Sequence, residues 1–167
     1  MVHVGGDGTA LALVDCSQFD SFVSEDWAVG DVLESKWIKG VNERAICIWG
    51  TGEDAVWRVE VSDRISDRKG HREFESQIAC SSGALHVINY DSLTMAAQFE
   101  HYKLPDALCQ KTEFRVRVGL YRVRVVQLEA PESEWWNTPE SEPHFLVELE
   151  PFEGLVATTS KIPWLQL

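Results

Sequence analysis

Histidine and cysteine are the residue types best suited to acid–base or nucleophilic chemistry near neutral pH, and both are scattered along this chain. Five histidines and four cysteines are present, with no Cys-x-x-Cys pair and no histidine at a zinc-finger spacing from a cysteine. His101 beside Glu100 is a candidate acid–base pair, and Asp15-Cys16 and Cys109 are candidate nucleophiles. Because no recognisable base accompanies either cysteine, the sequence predicts no catalytic residues, no metal site and no cofactor.

Four arginines alternate with apolar residues in FRVRVGLYRVRV at 114–125. If the two halves formed a hairpin around Gly119, all four would share one patch that could bind an anionic ligand. The alternative is a solvated face whose charge is neutralised by acidic residues on the next strand, such as Glu148 and Glu150. The acidity of the whole chain favours this second, structural interpretation.

Residues 129–143 (EAPESEWWNTPESEP), here called the acidic tryptophan segment, combine three prolines with five glutamates and no basic residue. This composition predicts a long surface loop, and loops of such length are more often functional than idle. Trp135 and Trp136 lie in its middle. Since an exposed tryptophan is costly in water, either at least one of them folds back onto the sandwich or they bind a partner.

The net charge narrows the class of partner. Fifteen Lys+Arg against 27 Asp+Glu give −12, and residues 129–167, with eight glutamates and one lysine, carry −7 of it. A strongly acidic chain is a poor binder of phosphate backbones, so nucleic acid is not the expected partner, whereas a basic protein surface is. No apolar run is long enough to span a bilayer and no secretory signal is evident, which predicts a cytoplasmic protein without membrane contact.

Period-two alternation of apolar and polar residues is the commonest pattern and indicates strands. The length of 167 residues predicts one domain, 1–167, and the fold class is mostly β: a two-layer antiparallel β-sandwich, or an open barrel. Cys47 and Cys80 lie in apolar runs and are expected in the core. The candidate strands are 44–50, 55–61, 84–90, 113–118, 120–128 and 144–150, with weaker ones at 9–15 and 73–79.

The connections and helices follow from the same patterns. Glycine-containing breaks at 50–54 and at Gly119 separate strands at hairpin distance, which predicts that those neighbours pair antiparallel. At most one short helix is expected, at 91–102, capped by Asp91 or Ser92. Its apolar face would hold Met95, Phe99 and Tyr102, although Leu93, Met95, Ala97 and Phe99 alternate equally well for a strand.

Several short patterns occur in an order that resembles a known family. They are DCSQFDSF at 15–22, ICIWG at 46–50, VWRVEV at 56–61, GALHVINYDSLTMAAQFE at 83–100, KLPD at 103–106 and RVRVGLYRVRVVQLE at 115–129. This layout is similar to that of small acidic bacterial toxin-immunity proteins, most of all the β-sandwich nuclease inhibitors related to competence protein J. The resemblance implies an inhibitor that binds and occludes a cognate toxin, often a nuclease. It spans residues 9–129, so Trp135 and Trp136 lie outside it.

Together these observations predict a binding protein, monomeric when free, that neutralises a cognate bacterial toxin by occluding a basic active site. Carboxylates would mimic a polyanionic substrate, and aromatic side chains would slow dissociation. The expected partner-binding residues are Trp135 and Trp136 as anchors and Glu132, Glu134, Glu140 and Glu142 as steering charges.

Two other classes of function remain open. A small-ligand-binding β-sandwich would place four tryptophans around an internal apolar pocket, namely Trp27, Trp37, Trp49 and Trp57. An uncharacterised enzyme would bring His101, Asp91 and Cys109 together in a cleft, because acid–base partners must come within hydrogen-bonding distance.

Overall fold

The computed structural model of the chain describes residues 1–5, 8–28, 30, 32–130, 139, 141–154 and 158–165. Most of the regular structure is strand, as predicted. The strands are β1 (Val2–Val4), β2 (Ala10–Val14), β3 (Ile46–Gly50), β4 (Trp57–Ser62), β5 (Arg72–Cys80), β6 (Ala84–Asn89), β7 (Glu113–Arg115), β8 (Gly119–Gln127) and β9 (Phe145–Pro151). The helical elements are a π-helical segment (Val32–Ile38), α1 (Lys39–Asn42), α2 (Tyr90–Gln98) and a 3-10 turn (Gln110–Thr112).

The strands form two sheets that pack as a sandwich rather than closing into a barrel. The five-stranded sheet has the order β1-β4-β9-β8-β5, and the four-stranded sheet has the order β3-β2-β6-β7. Neighbouring strands are antiparallel, as expected, except that β4 runs parallel to β9. Two adjacent inner strands of the larger sheet, β8 and β9, are the strands on either side of the acidic tryptophan segment.

Two apolar clusters hold the layers of the fold together. The first lies between the sheets and includes Trp49, Trp57 and Phe145. The second lies on the other face of the four-stranded sheet, where Ile48 and Ile88 pack against the helical elements. All five residues of β2 and of β3 are buried, because both faces of these strands are covered. Their nearly continuous apolar sequences reflect this burial.

Helix α2 confirms the helical interpretation of the 91–102 region but differs in its details. The side chain of Asn89, rather than Asp91 or Ser92, caps the helix by accepting a hydrogen bond from Ser92 N at 2.9 Å. The helix therefore begins before the expected cap and ends at Gln98. The expected apolar face is wrong: Met95 is exposed, Phe99 follows the helix in extended conformation, and the buried residues are Ser92, Leu93, Ala96 and Ala97.

The π-helical segment and α1 correct the expectation of at most one short helix. Val32 and Trp37 are both buried and lie five residues apart. That spacing fits the wider turn of a π-helix, in which hydrogen bonds join residues five apart. A search for apolar residues at the 3.6-residue period of an α-helix therefore misses this region.

Both predicted hairpins are wrong. The connection at 50–54 leads from β3 in the four-stranded sheet to β4 in the five-stranded sheet, and Gly119 begins β8 in a different sheet from β7. β7 pairs instead with β6, placing Phe114 opposite Leu85. Short connections in this sandwich therefore carry the chain from one sheet to the other.

The cysteines behave as core residues where the sequence predicted it. Cys47 and Cys80 are buried, and all four cysteines are free thiols. Burial raises the pKa of the Cys47 thiol to about 12, so it stays protonated at neutral pH. Across the described parts of the chain, no helix is long and apolar enough to cross a membrane.

Candidate partner-binding site

The acidic tryptophan segment leaves and re-enters the fold at one point. Leu128, which follows β8, donates its N–H to the carbonyl of His144, which precedes β9, at 2.9 Å. On its other side Leu128 accepts a hydrogen bond from His71 N at 3.2 Å. The two ends of the 15-residue segment between Leu128 and His144 therefore meet at the end of β8 and β9, two adjacent inner strands of the five-stranded sheet.

The junction of Leu128 and His144 is here called the base of the segment. His144 fixes it to the neighbouring strand β4. The backbone N–H of His144 donates to the carbonyl of Arg58 at 2.8 Å, and the imidazole Nδ1 accepts from the backbone N–H of Arg58 at 3.1 Å. The imidazole also meets the ring of Trp57 edge-on, with 5.5 Å between ring centroids. Burial, with a smaller contribution from the charge of Arg58, lowers the pKa of His144 to about 4. At neutral pH the imidazole is neutral, and because Nδ1 accepts, its proton lies on Nε2.

Glu142 is the one predicted site residue that the structure describes, and two arginines hold it. Arg68 Nη2 lies 2.9 Å from Glu142 Oε2, and Arg58 Nε donates to the Glu142 carbonyl at 2.7 Å. Glu142 N donates in turn to the carbonyl of Pro139 at 2.9 Å. In the free protein the Glu142 carboxylate is therefore paired, and it fastens the end of the segment. The other predicted site residues, Glu132, Glu134, Trp135, Trp136 and Glu140, lie outside the described residues.

A buried ionic cluster positions Arg68. Arg124, on the outer face of the five-stranded sheet, contacts Glu148 at 2.6 Å and Glu73 at 2.5 Å. Its guanidinium also donates to the carbonyls of Ser66 and Arg68, at 3.1 and 2.8 Å. Ser66 donates back to Glu148 from its N–H and its hydroxyl. These bonds hold the β4–β5 connection against the sheet, which places the Arg68 side chain beside Glu142.

The arginines do not form the single patch that a hairpin would have produced, because β7 and β8 belong to different sheets. The structural interpretation of β8 is confirmed: Arg124 lies opposite Glu148 and Arg122 opposite Glu150 on β9. Arg122 Nη2 is 2.5 Å from Glu150 Oε1. Two of the four arginines are therefore neutralised within the sheet, and no shared anion site results.

The four tryptophans proposed for a small-ligand pocket are divided between the two apolar clusters. Trp49 and Trp57 pack between the sheets, whereas Trp27 and Trp37 pack against the helical side of the four-stranded sheet. Trp37, Trp49 and Trp57 are each at most 3% exposed. None of the four lines the clefts found among the described residues, so they serve as core residues.

Of the residues proposed for catalysis, His101 is exposed and Cys109 is buried. The carboxylate near Cys109 is Asp106 rather than Asp91: Asp106 accepts hydrogen bonds from the hydroxyls of Ser92, at 2.7 Å, and Tyr102. Its other oxygen accepts from Cys109 N at 3.0 Å. Burial raises the pKa of the Cys109 thiol, which disfavours the nucleophilic thiolate.

Asp15 and Cys16 are likewise unsuited to nucleophilic chemistry. Asp15 is buried, and its carboxylate accepts hydrogen bonds from Ser81 N at 2.7 Å and Ser82 N at 3.0 Å. Burial alone would raise the pKa of Asp15, but bonds from Ser81, Ser17 and Ser82 outweigh it and hold that pKa well below its usual range. Burial raises the pKa of the Cys16 thiol to about 12. Among the described residues no group of three or more His, Cys, Asp or Glu could hold a metal ion.

Arg58 and Arg68 are the residues of this site that sequence reasoning missed. Arg58 precedes a core valine in an ordinary alternating strand, and Arg68 lies in a connection rich in both charge signs. The available signal was the acidic composition of the segment itself, since a concentration of carboxylates needs nearby cations where the chain returns to the fold.

Comparison with known proteins supplies a likeness in fold. The sequence matches no protein-family model and no curated protein. Among solved structures, the product of crocagin biosynthetic gene J is similar with a TM-score of 0.56 and 13% identity, over 91% of this chain and 94% of that one. ComJ from Bacillus subtilis, the inhibitor of the DNA-degrading activity of NucA, is similar with a TM-score of 0.51 and 6% identity, over 90% and 94%. The fold is therefore ComJ-like, as the resemblance implied.

Proposed function

We propose that this chain is a protein inhibitor of a bacterial nuclease and that it has no enzymatic activity of its own. The observation that carries the proposal is the likeness in fold to ComJ, an inhibitor of a DNA-degrading activity, over 90% of this chain. The net charge of −12 supports it, because a nuclease that binds a polyanion presents a basic surface to which an acidic protein is attracted.

The proposed mechanism is occlusion by the acidic tryptophan segment. Glu132, Glu134, Glu140 and Glu142 attract the basic active site of the partner, and Trp135 and Trp136 bury apolar area against it. Long-range attraction between opposite charges speeds association, whereas desolvated aromatic side chains slow dissociation. The hydrogen-bonded base at Leu128 and His144 supports this role, because both ends of the segment are fixed before a partner arrives.

The hydrogen bonds of Asp106 and the raised pKa values of two thiols support a binding protein rather than an enzyme. The Asp106 carboxylate is occupied by Ser92, Tyr102 and Cys109. Burial raises the pKa of the thiols of Cys16 and Cys109. In this proposal the free inhibitor is a cytoplasmic monomer that forms a complex with one nuclease molecule.

The test uses the proteins encoded beside this chain, because an inhibitor and its toxin are usually encoded together. Each neighbour is produced alone and with the chain, and its cleavage of linear double-stranded DNA is followed on gels. We expect one neighbour to degrade DNA and an equimolar amount of the chain to suppress that cleavage. We also expect the complex to survive gel filtration at low salt and to weaken at high salt, because ions screen the attraction.

The double variant Trp135→Ala/Trp136→Ala serves as the matched control, with its fold checked by circular dichroism. A neighbour that cleaves DNA equally well with and without the chain argues against inhibition. If no neighbour degrades DNA or binds the chain, the proposal is wrong.

A further inference from the structure

Two of the four arginines in FRVRVGLYRVRV lie outside the ion pairs that join β8 to β9. Arg122 and Arg124 pair with glutamates of β9, whereas Arg115 and Arg117 precede β8 and are exposed. Both line a cleft of about 580 Å³ at the end of the sandwich where the chain crosses from β7 to β8. This cleft, here called the basic cleft, is large enough for a small organic molecule.

The backbone between the two arginines is held in place. Val116 N donates to the carbonyl of Gly83 at 3.1 Å, which extends the pairing of β6 with β7 by one residue. The hydroxyl of Tyr121 donates to the carbonyl of Arg117 at 2.7 Å. Because side chains alternate along an extended chain, Arg115 and Arg117 lie on the same side of it, with Cα atoms about 7 Å apart. Two guanidinium groups at this spacing can contact one anion.

The arginines give the basic cleft an excess of positive charge. Arg117 makes no ion pair within the part of the chain that the structure describes. Arg115 Nε lies 2.8 Å from Glu113 Oε1, but the Arg115 side chain is 80% exposed, and a guanidinium has further N–H donors. The one carboxylate in the described lining is Asp63, which is itself 3.9 Å from Arg64. The lining therefore contains two cations and one carboxylate.

Two further clefts among the described residues have no such excess. In one, Arg44 is accompanied by Glu75, and the other is lined by two lysines that each pair with a carboxylate. The acidic tryptophan segment lies at the opposite end of β8, since six residues of strand, about 20 Å, separate Tyr121 from Gln127. Salt at physiological concentration screens repulsion over that distance.

We propose that the basic cleft binds a small organic anion, with its carboxylate or phosphate group between Arg115 and Arg117 and its apolar part against Val116 and Pro151. Guanidinium groups bind such oxyanions through charge-assisted hydrogen bonds. Val116, Tyr121 and Pro151 form the apolar side of the cleft, and contact with this side selects an organic anion over an inorganic ion. The site is separate from the acidic tryptophan segment, and its occupation does not depend on a nuclease partner.

The test titrates phenyl phosphate and benzoate separately into the isotope-labelled full chain and follows the backbone amides by NMR. We expect at least one of these two anions to give saturable shifts at Gly83, Val116 and Arg117, and the tighter one identifies the preferred oxyanion. Inorganic phosphate and acetate, which lack the ring, should bind several-fold more weakly than their aromatic counterparts. Benzyl alcohol, which keeps the ring without the charge, should give no such shifts.

Charge-removing variants distinguish this cleft from general attraction of anions. Arg117→Gln should raise the dissociation constant of the bound anion about tenfold, as expected for the loss of one charge-assisted contact. Arg115→Gln should also raise it. Lys103→Gln is the control, because it removes the same charge at an exposed lysine outside the cleft. Amide spectra confirm that each variant keeps the fold.

Three results would overturn the proposal. The first is the absence of saturable shifts at the basic cleft with both aromatic anions. The second is unchanged affinity in either arginine variant, and the third is an equal loss of affinity in Lys103→Gln and Arg117→Gln.

Discussion

Arg68 and Glu142 form an ion pair, 2.9 Å from Nη2 to Oε2, between two loops that lie 74 residues apart in the chain. One loop is held against the sheet by the buried Arg124 cluster, and the other is the end of the acidic tryptophan segment. The pair thus joins the loop that the Arg124 cluster holds to the segment that we propose binds a nuclease. The pair positions the end of the segment rather than stabilising the fold, because exposed ion pairs stabilise folding only slightly.

Arg68→Ala should change the free energy of unfolding by less than about 1 kcal/mol, because both side chains are nearly half exposed and water screens their attraction. Urea unfolding of Arg68→Ala, Glu142→Ala and the double variant measures the coupling between them. Arg64→Ala is the matched control, since Arg64 is almost fully exposed. A coupling above about 2 kcal/mol would contradict this account of a surface pair.

Arg124→Ala should destabilise the fold by about 3–5 kcal/mol, because it leaves the Glu148 carboxylate buried without its cation. Arg122→Ala is the control at the neighbouring outward position: its pair with Glu150 is about one-third exposed and should contribute less than about 1 kcal/mol. Replacing both members of the buried pair, as Arg124→Met with Glu148→Leu, should cost less than Arg124→Ala alone. Urea unfolding with similar losses for Arg124→Ala and Arg122→Ala would show that the Arg124 cluster does not stabilise the fold.

The lowered pKa of His144 predicts that the fold loses stability on acidification. Its pKa is lowered from 6.5 to about 4 in the folded protein, so the unfolded chain binds more protons between those values. The stabilisation of the folded state by neutral His144 is complete above pH 6.5 and is lost as the pH falls from 6.5 toward 4. The free energy of unfolding falls by at most about 3 kcal/mol as a result.

NMR titration of the His144 ring measures this pKa directly, and urea unfolding across the same pH range measures its effect. The variant His144→Gln should flatten the dependence of stability on pH. Burial also lowers the pKa of His86, which adds a slope of the same sign that remains in the variant. A His144 pKa near 6.5 would contradict the prediction.

Trp135→Ala and Trp136→Ala should weaken the complex with the nuclease, with at least one of them costing about 2 kcal/mol or more of binding free energy. The loss should appear mainly as faster dissociation, measured by surface plasmon resonance. Neither change should alter the free energy of unfolding as a core change such as Trp49→Ala does, because Trp49 is fully buried. Unchanged affinity in the double variant would remove these residues from the interface.

Glu132→Gln, Glu134→Gln and Glu140→Gln, combined in one variant, should slow association with the nuclease about tenfold or more at low salt, and the difference should shrink as salt is added. Dissociation should change little. The same number of substitutions elsewhere, at Glu60, Glu75 and Glu153, keeps the net charge equal and serves as the control. Equal association rates for the two variants would show that total charge, and not its location, drives capture.

Side-chain alternation predicted the faces of the strands well but not their sheets. Glu148 and Glu150 were expected to neutralise outward arginines, because adjacent antiparallel strands place outward residues opposite each other. The structure pairs Arg122 with Glu150 and Arg124 with Glu148. Alternation says nothing about whether a short connection turns within a sheet or crosses between sheets. For that reason β7 and β8 looked like a hairpin around Gly119, although they lie in opposite layers.

For the candidate site as well, the sequence predicted local features but not long-range contacts. Composition located the acidic tryptophan segment, because prolines, glutamates and adjacent tryptophans are local features. Its cations were not predictable, since Arg58 bonds to Glu142 across 84 residues and no local pattern marks such a contact. The order of the strands, which brings β4 beside β9, had to be known first.

The parallel pairing of β4 with β9 also bears on how the chain folds. Arg58 and His144 are 86 residues apart, and closing so long a loop is entropically costly and slow compared with forming local contacts. The base of the acidic tryptophan segment is complete only when this long-range pairing is made. A partly folded chain would therefore carry the glutamates and tryptophans without fixed ends, so that the proposed capacity to bind a partner would arise together with the β4–β9 pairing.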